Sequence, residues 1–274
     1  MSNASIKAPA FSVAGCLVLL LATALFAGGC STGGGVKGDS PAKTADAAAA
    51  VAAAKAAEDM EPDKPILPPG VSKAPAPFEG DGWREMFDGR DLSGWKATPF
   101  AGHGQVVVVS GNLVLTMGDP FTGVNWTNPF PTANYEIAFD AMRMMGTDFF
   151  CGLTLPMNDS HFSLILGGWG GSLVGISSIN GMDASENETT KFVKFDGGQW
   201  YRVRMRVTTG RLETWVDDKK VVDLVVKDRK ISLRPGDIEM SAPVGITAWQ
   251  TSAVFREIKW RPVTTAADPV PKIY

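Results

Sequence analysis

Between residues 78 and 262 the apolar positions recur in short runs with a period of two, and clusters of Gly, Pro, Asn and Asp separate the runs. No stretch sustains the 3.6-residue period of a helix. The pattern predicts strands over 105–109, 112–117, 135–144, 149–155, 161–166, 173–178, 191–195, 200–208, 211–216, 221–226, 244–249 and 254–260. So many short strands in one segment mean an all-β sandwich or jelly roll. In 200–208, Val203, Met205 and Val207 face one way while Arg202, Arg204 and Arg206 face the other. If Thr209-Gly210 is a two-residue hairpin loop, Val207 meets Leu212, Arg206 meets Glu213, Arg204 meets Trp215 and Arg202 meets Asp217. One face of that hairpin is then apolar, and the other carries ion pairs and a cation–π contact.

The rest of the chain follows other patterns. Lys7, the apolar run 11–27 and the small residues Ala27-Gly28-Gly29 before Cys30 read as an export leader spanning 1–29. Small residues directly before a cysteine look like a bacterial lipobox, which would make Cys30 a lipidated N-terminus at the cell envelope, with Ser31 favouring the outer membrane. The alternative is an uncleaved membrane anchor. Residues 30–77 are rich in Gly, then Ala, then Pro, and are expected to be a spacer. Residues 263–274 are a Pro-punctuated tail. Of three cysteines, Cys16 and Cys30 fall in the leader region and Cys151 stands alone in an apolar run, expected as a core residue. No disulfide is therefore available, and the domain is stable on packing alone. The net charge of −3, without a basic stripe, argues against a nucleic-acid partner.

Candidate chemistry is sparse. There is no Gly-x-Ser-x-Gly, no phosphate-binding Lys motif and no Cys/His metal pattern, and only two histidines. His103, between glycines, reads as a loop residue. His161 opens a strand directly after Asp159 and Ser160 and is either a site residue or a hydrogen-bonded strand end. Glu136 and Asp140 share one face of a strand, separated by the small Ala138. They are either an acid–base pair or a solvated face paired with arginines such as Arg202 and Arg204. Trp169, within Gly167-Gly168-Trp169-Gly170-Gly171, is either a sugar-stacking platform or a side chain folded back over the sandwich. Asn180, Asp183, Glu186, Asn187 and Glu188 gather hard oxygen ligands in one loop, as calcium prefers, although the spacing is not that of an EF-hand.

The run Met86-Phe87-Asp88-Gly89-Arg90-Asp91-Leu92-Ser93-Gly94-Trp95 reverses tightly while dropping Phe87, Leu92 and Trp95 inward. It resembles the opening signature of the bacterial 3-keto-disaccharide hydrolase family. Trp200-Tyr201-Arg202-Val203, the run 211–218 and Val254-Phe255-Arg256-Glu257-Ile258 are similar to that family's late hairpin and closing strand. The resemblance implies a concanavalin A-like (laminin-G-like) jelly roll and cleavage of glycosides oxidised at C3, by elimination and then hydration. It implies a carbohydrate ligand, with His161 or Asp140 as base, Asp148 or Glu136 as acid and Arg143 facing the enolate; Trp169, Asp159, Trp249 and Gln250 would contact substrate. Arg143 has the opposite strand parity to Asp140, so a bulge is needed to bring both to one site. Where the family has a groove histidine, this chain has Trp249 or Gln250. The rival reading is a carbohydrate-binding or scaffold lipoprotein without catalysis on the same fold.

Overall fold

The computed structural model describes residues 65–264. The leader, Cys16, Cys30, most of the spacer and nearly all of the tail lie outside the described residues. The strands are β1 (Arg84–Glu85), β2 (Trp95–Ala97), β3 (Val106–Val109), β4 (Asn112–Leu115), β5 (Phe121–Trp126), β6 (Tyr135–Gly146), β7 (Cys151–Met157), β8 (Ser160–Gly167), β9 (Leu173–Ser177), β10 (Lys191–Phe192), β11 (Trp200–Val207), β12 (Arg211–Val216), β13 (Lys219–Val225), β14 (Gly245–Trp249) and β15 (Thr251–Pro262). A back sheet runs in the order β13-β12-β11-β6-β15-β4-β3, with β1 also paired to β15, and a front sheet runs β10-β9-β8-β7-β14-β5-β2. Neighbouring strands are antiparallel throughout, for example β6 with β15 and β14 with β5. The expected sandwich of two antiparallel sheets is therefore present.

Alternation fills the space between the sheets. From the back sheet come Tyr135, Ile137, Phe139, Val203, Met205 and Phe255; from the front sheet come Leu153, Leu155, Phe162, Leu164, Ile176 and Ile246, all buried in one cluster. Cys151 belongs to it, fully buried, and desolvation pushes its thiol pKa far up, so it is an inert core residue. The opening run closes one end. Gly89 and Gly94 supply backbone at φ +77° and +80°, Met86, Phe87 and Trp95 are buried, and the Trp95 indole donates to the Met86 carbonyl at 2.7 Å.

The hairpin has the expected register: Val207 opposes Leu212, Arg206 opposes Glu213 and Arg204 opposes Trp215, with the Arg204 guanidinium 3.9 Å from the Trp215 ring centroid. Three strands were not apparent from the pattern. β1 and β2 are only two and three residues long. β5 carries Gly123 and Asn125, both poor strand formers, which break its alternation.

The outer face of the back sheet is a charged lattice under a strap of chain. Glu136 is fully buried and accepts from Arg204 Nη1 at 2.6 Å and from Arg261 Nε at 2.8 Å, with Arg206 Nη2 at 3.5 Å. Asp140 pairs with Arg202 at 2.9 Å and with Arg256 at 3.3 Å. Three of these arginines also donate to backbone carbonyls of the incoming chain: Arg202 to Ala76 and Pro77, Arg256 to Lys73, and Arg261 to Glu79 and Asp81. Phe78 and Trp83 stack over Arg202 and Arg261 at 4.3 Å, and Leu67 and Val71 pack on Met142, Val114 and Val254. The Pro-rich stretch from residue 65 onward, expected as bare spacer, is thus part of the folded unit. A short 3₁₀ turn, Pro69–Ser72, bends it over the sheet.

Candidate functional site

The outer face of the front sheet has a floor of small residues. Gly152 and Thr154 of β7, Ser163 of β8, Gly175 and Ser177 of β9, Thr247 of β14 and Gly123 of β5 all have the outward parity. The glycines let other groups lie directly on the sheet. A Cβ at Gly123 would sit 3.0 Å from the Phe100 ring, one at Gly152 3.0 Å from the Phe149 ring, and one at Gly175 2.8 Å from the Ala184 carbonyl. On this floor Phe100 stacks on Phe121 at 4.8 Å, Trp249 meets Phe121 edge-on at 4.5 Å, and Phe149 lies 6.2 Å from Trp249.

Beside these rings a cavity of about 410 Å³ opens on the same face, within the range of small-ligand sites. Phe121, Phe149, Ile165, Ile238, Trp169 and Trp249 make its apolar wall. Asp148, Ser163, Ser177, Asp183, Arg234 and Asp237 supply polar groups. Asp183 accepts from the Ala184 amide at 2.7 Å and holds Arg234 Nη1 at 2.5 Å, which fixes one cation at the rim. The Asp148 carboxylate accepts from the Phe149 amide at 2.7 Å, while its carbonyl accepts from the Thr251 hydroxyl at 3.2 Å. Ser163 shares a hydrogen bond with Thr154 at 2.8 Å.

Arg143 is placed differently from its sequence-based role. It has the core-side parity of β6, is buried, and lies under the Gly167–Gly171 turn. Its Nη2 donates to the Gly171 carbonyl at 2.8 Å and to that of Gly167 at 3.3 Å. Gly167 and Gly171 are at φ +79° and +100°, and a side chain at either would run into the guanidinium. The glycine run is therefore the shape that Arg143 imposes, and it leaves Trp169 at the tip, 45% exposed and lining the cavity. Burial lowers the Arg143 pKa, and the side chain sits away from the cavity lining, so it positions the turn and is not placed to face an enolate.

The other expected residues divide. Asp148, Trp169 and Trp249 line the cavity together. Glu136 and Asp140 lie on the outer face of the back sheet, with the whole core between them and the cavity, and are held by arginines. The alternative reading holds in its pairing, Asp140 with Arg202 and Glu136 with Arg204, but the face is not solvated, since both carboxylates are buried. His161 shares the cavity's face, two residues before Ser163 and so ~7 Å along β8, but is not among the lining residues. Burial lowers its pKa, favouring the neutral ring. Asp159 sits in the β7–β8 turn, at a separate open cleft with Ser160 and Lys227. Gln250 is exposed in the β14–β15 turn, at φ +43°. In the loop considered for calcium, Asp183 and Glu188 are engaged by Arg234 and Arg229, and Asn187 is buried, its amide tying down the carbonyls of Ile176, Met182 and Asp183. Among the described residues no group of three or more His, Cys, Asp or Glu could hold a metal ion.

Phe121, Arg234, Asp237 and Ile238 were not found by sequence reasoning. Phe121 belongs to the overlooked strand β5. The other three come from the long connection between β13 and β14, where Pro235-Gly236 was the one local signal of a turn.

A family model described as the 3-keto-alpha-glucoside-1,2-lyase-like domain matches residues 82–261. No curated protein matches the chain significantly. Similar solved structures include a putative glycosyl hydrolase from Parabacteroides distasonis, 16% identical, with 67% of this chain and 95% of that chain covered and a TM-score of 0.45. A glycosidic hydrolase is 12% identical over 69% of this chain and 100% of that chain, with a TM-score of 0.47. The carbohydrate-binding module CBM66 from Bacillus subtilis is 13% identical over 61% and 95%, with a TM-score of 0.40.

Proposed function

Because the chain belongs to the 3-keto-alpha-glucoside-1,2-lyase-like domain family, we propose that the front-sheet cavity binds a glycoside carrying a ketone at C3 and cleaves it by elimination followed by hydration. The observation that carries this reading is one cavity in which an aromatic wall, an arginine held by Asp183 and two further carboxylates converge: Trp249, Trp169, Phe121, Arg234, Asp148 and Asp237.

The C3 ketone acidifies the proton on C2. A carboxylate, for which Asp148 is the choice as the inward member of the pair, removes that proton, and the electrons pass to the ketone oxygen as an enolate. Arg234, held by Asp183, is the cation available to that oxygen. Collapse of the enolate forms the C1–C2 double bond and breaks the bond from C1 to the leaving oxygen, which takes a proton from Asp237. Water then adds across the double bond: Asp237 takes a proton from it as the hydroxyl joins C1, Asp148 returns its proton to C2, and the sum is hydrolysis with both carboxyls restored. The paired carboxylates flanking the bond in ordinary glycosidases are not required. The test is turnover of methyl 3-keto-α-glucoside and of its unoxidised parent. The first should be cleaved and the second untouched, and Asp148→Asn should lower kcat at least about a hundredfold with KM little changed. Equal turnover in the variant would remove Asp148 as base.

A second reading has its own support. Trp249 and Gln250 stand where the family's groove histidine is expected, and Trp249 is built into the aromatic wall. A carbohydrate-binding protein without catalysis uses the same wall. Binding of the keto-glycoside without any cleavage would decide for it. The proposal keeps the lipid anchor at Cys30, and with it an envelope location.

A further inference from the structure

Resting on the carbohydrate reading of the cavity, we propose that the aromatic surface continues past it to the edge of the front sheet, where Trp169 and Phe192 hold further sugar rings of an extended ligand. Directly opposed residues of an antiparallel pair point to the same face. Phe192 opposes Leu173. Leu173 packs with Phe149 and Ile165 on the cavity side of the sheet, so Phe192 projects to that side too. From the other flank, Gly168 bridges Leu173, and Trp169 follows it.

The backbones carrying the two rings are therefore about two strand spacings apart, ~10 Å. That separation exceeds the reach of one sugar ring and suits a ligand of several. Phe192 is 74% exposed and Trp169 45%, and neither belongs to a core cluster. Single exposed apolar residues are ordinary. Two exposed aromatics on the face that carries the row Phe121–Trp249–Phe149, one of them itself in the cavity wall, make a stacking surface, and the shared face names the occupant as more of the same ligand. Phe192 lies exposed in a two-residue edge strand, so truncating its ring removes little packing from the fold.

The experiment compares kcat/KM, or calorimetric Kd if no cleavage occurs, for methyl 3-keto-α-glucoside and for maltotriose oxidised to the ketone at C3 of its non-reducing unit. The three-ring probe should be preferred by the natural chain, and Phe192→Ala should remove about tenfold of that preference. Retained circular dichroism and unchanged thermal midpoint would show the fold intact. Equal use of both probes by the natural chain, or an undiminished preference in the variant, overturns the proposal while leaving the cavity reading standing. Concentration-dependent self-association in sedimentation that Phe192→Ala abolishes, with preference intact, would assign the surface to a second copy of this chain instead. Neither binding nor turnover of either probe would remove the carbohydrate reading itself, and this extension with it.

Discussion

Glu136→Gln separates a structural carboxylate from a catalytic one. In the natural chain Glu136 is fully buried and is the shared acceptor of Arg204 and Arg261, with Arg206 close by. Removing one side of a buried pair costs about 3–5 kcal/mol, whereas an exposed pair is worth about 0–1 kcal/mol. The three arginine side chains keep 20–35% of their surface, so water recovers part of the loss. We therefore expect destabilisation of about 2–4 kcal/mol. For a domain of this size that lowers Tm by roughly 5–12 °C.

The same pair fixes a pH dependence. Burial raises the Glu136 pKa, but hydrogen bonds from Arg204 and Arg261 and the charge of Arg206 more than offset it, and the folded value lies below the ordinary 4.5. A carboxylate depressed in the folded state stabilises above its unfolded value, and that contribution is lost as pH falls from about 4.5 through the folded value. Urea unfolding at pH 7 should show the full gap between natural chain and variant, and the gap should shrink below pH 4.5. Activity per folded molecule should be unchanged. Normal stability together with lost turnover would refute the structural assignment and return Glu136 to the chemistry.

Three further outcomes are expected. Gly152→Ala would place a Cβ 2.6 Å from Thr247 Oγ1 and 3.0 Å from the Phe149 ring, and should cost about 1–3 kcal/mol in urea unfolding; no loss would mean the floor of the cavity yields freely. A chain beginning at residue 78 should unfold at lower urea than one beginning at 65, because the carbonyls that Arg202 and Arg256 use and the Leu67 and Val71 contacts are gone; equal midpoints would make the strap incidental. Intact mass of membrane-extracted protein should correspond to a chain starting at Cys30 with added acyl groups, and an unmodified full-length N-terminus would refute the lipid anchor.

Period-two alternation made the β11–β12 hairpin legible to the residue, since a one-residue slip would have buried its arginines. At Glu136 and Asp140 the same alternation left two readings open, and of these the pairing with Arg202 and Arg204 is present while the acid–base pair is not brought to the cavity. Parity says that a side chain leaves the core, but a two-sheet sandwich has two outer faces, and only the strand order puts β6 in the back sheet and β8 in the front. For Arg143, core-side parity already spoke against a shared site with Asp140, and the glycines it touches explain why. Phe121 and Arg234 escaped because their signals are nonlocal. Gly123 and Asn125 look like strand breakers until the rings and loops that lie on the sheet are known.

The strap gives the domain a front and a back. Residues 65–81 arrive across the back sheet, fastened by Leu67, Val71 and the carbonyls that Arg256, Arg202 and Arg261 hold, while the cavity lies on the outer face of the front sheet. Any load applied through the N-terminal side of this chain is thus borne by the rear of the sandwich, and the arginine lattice is its mooring.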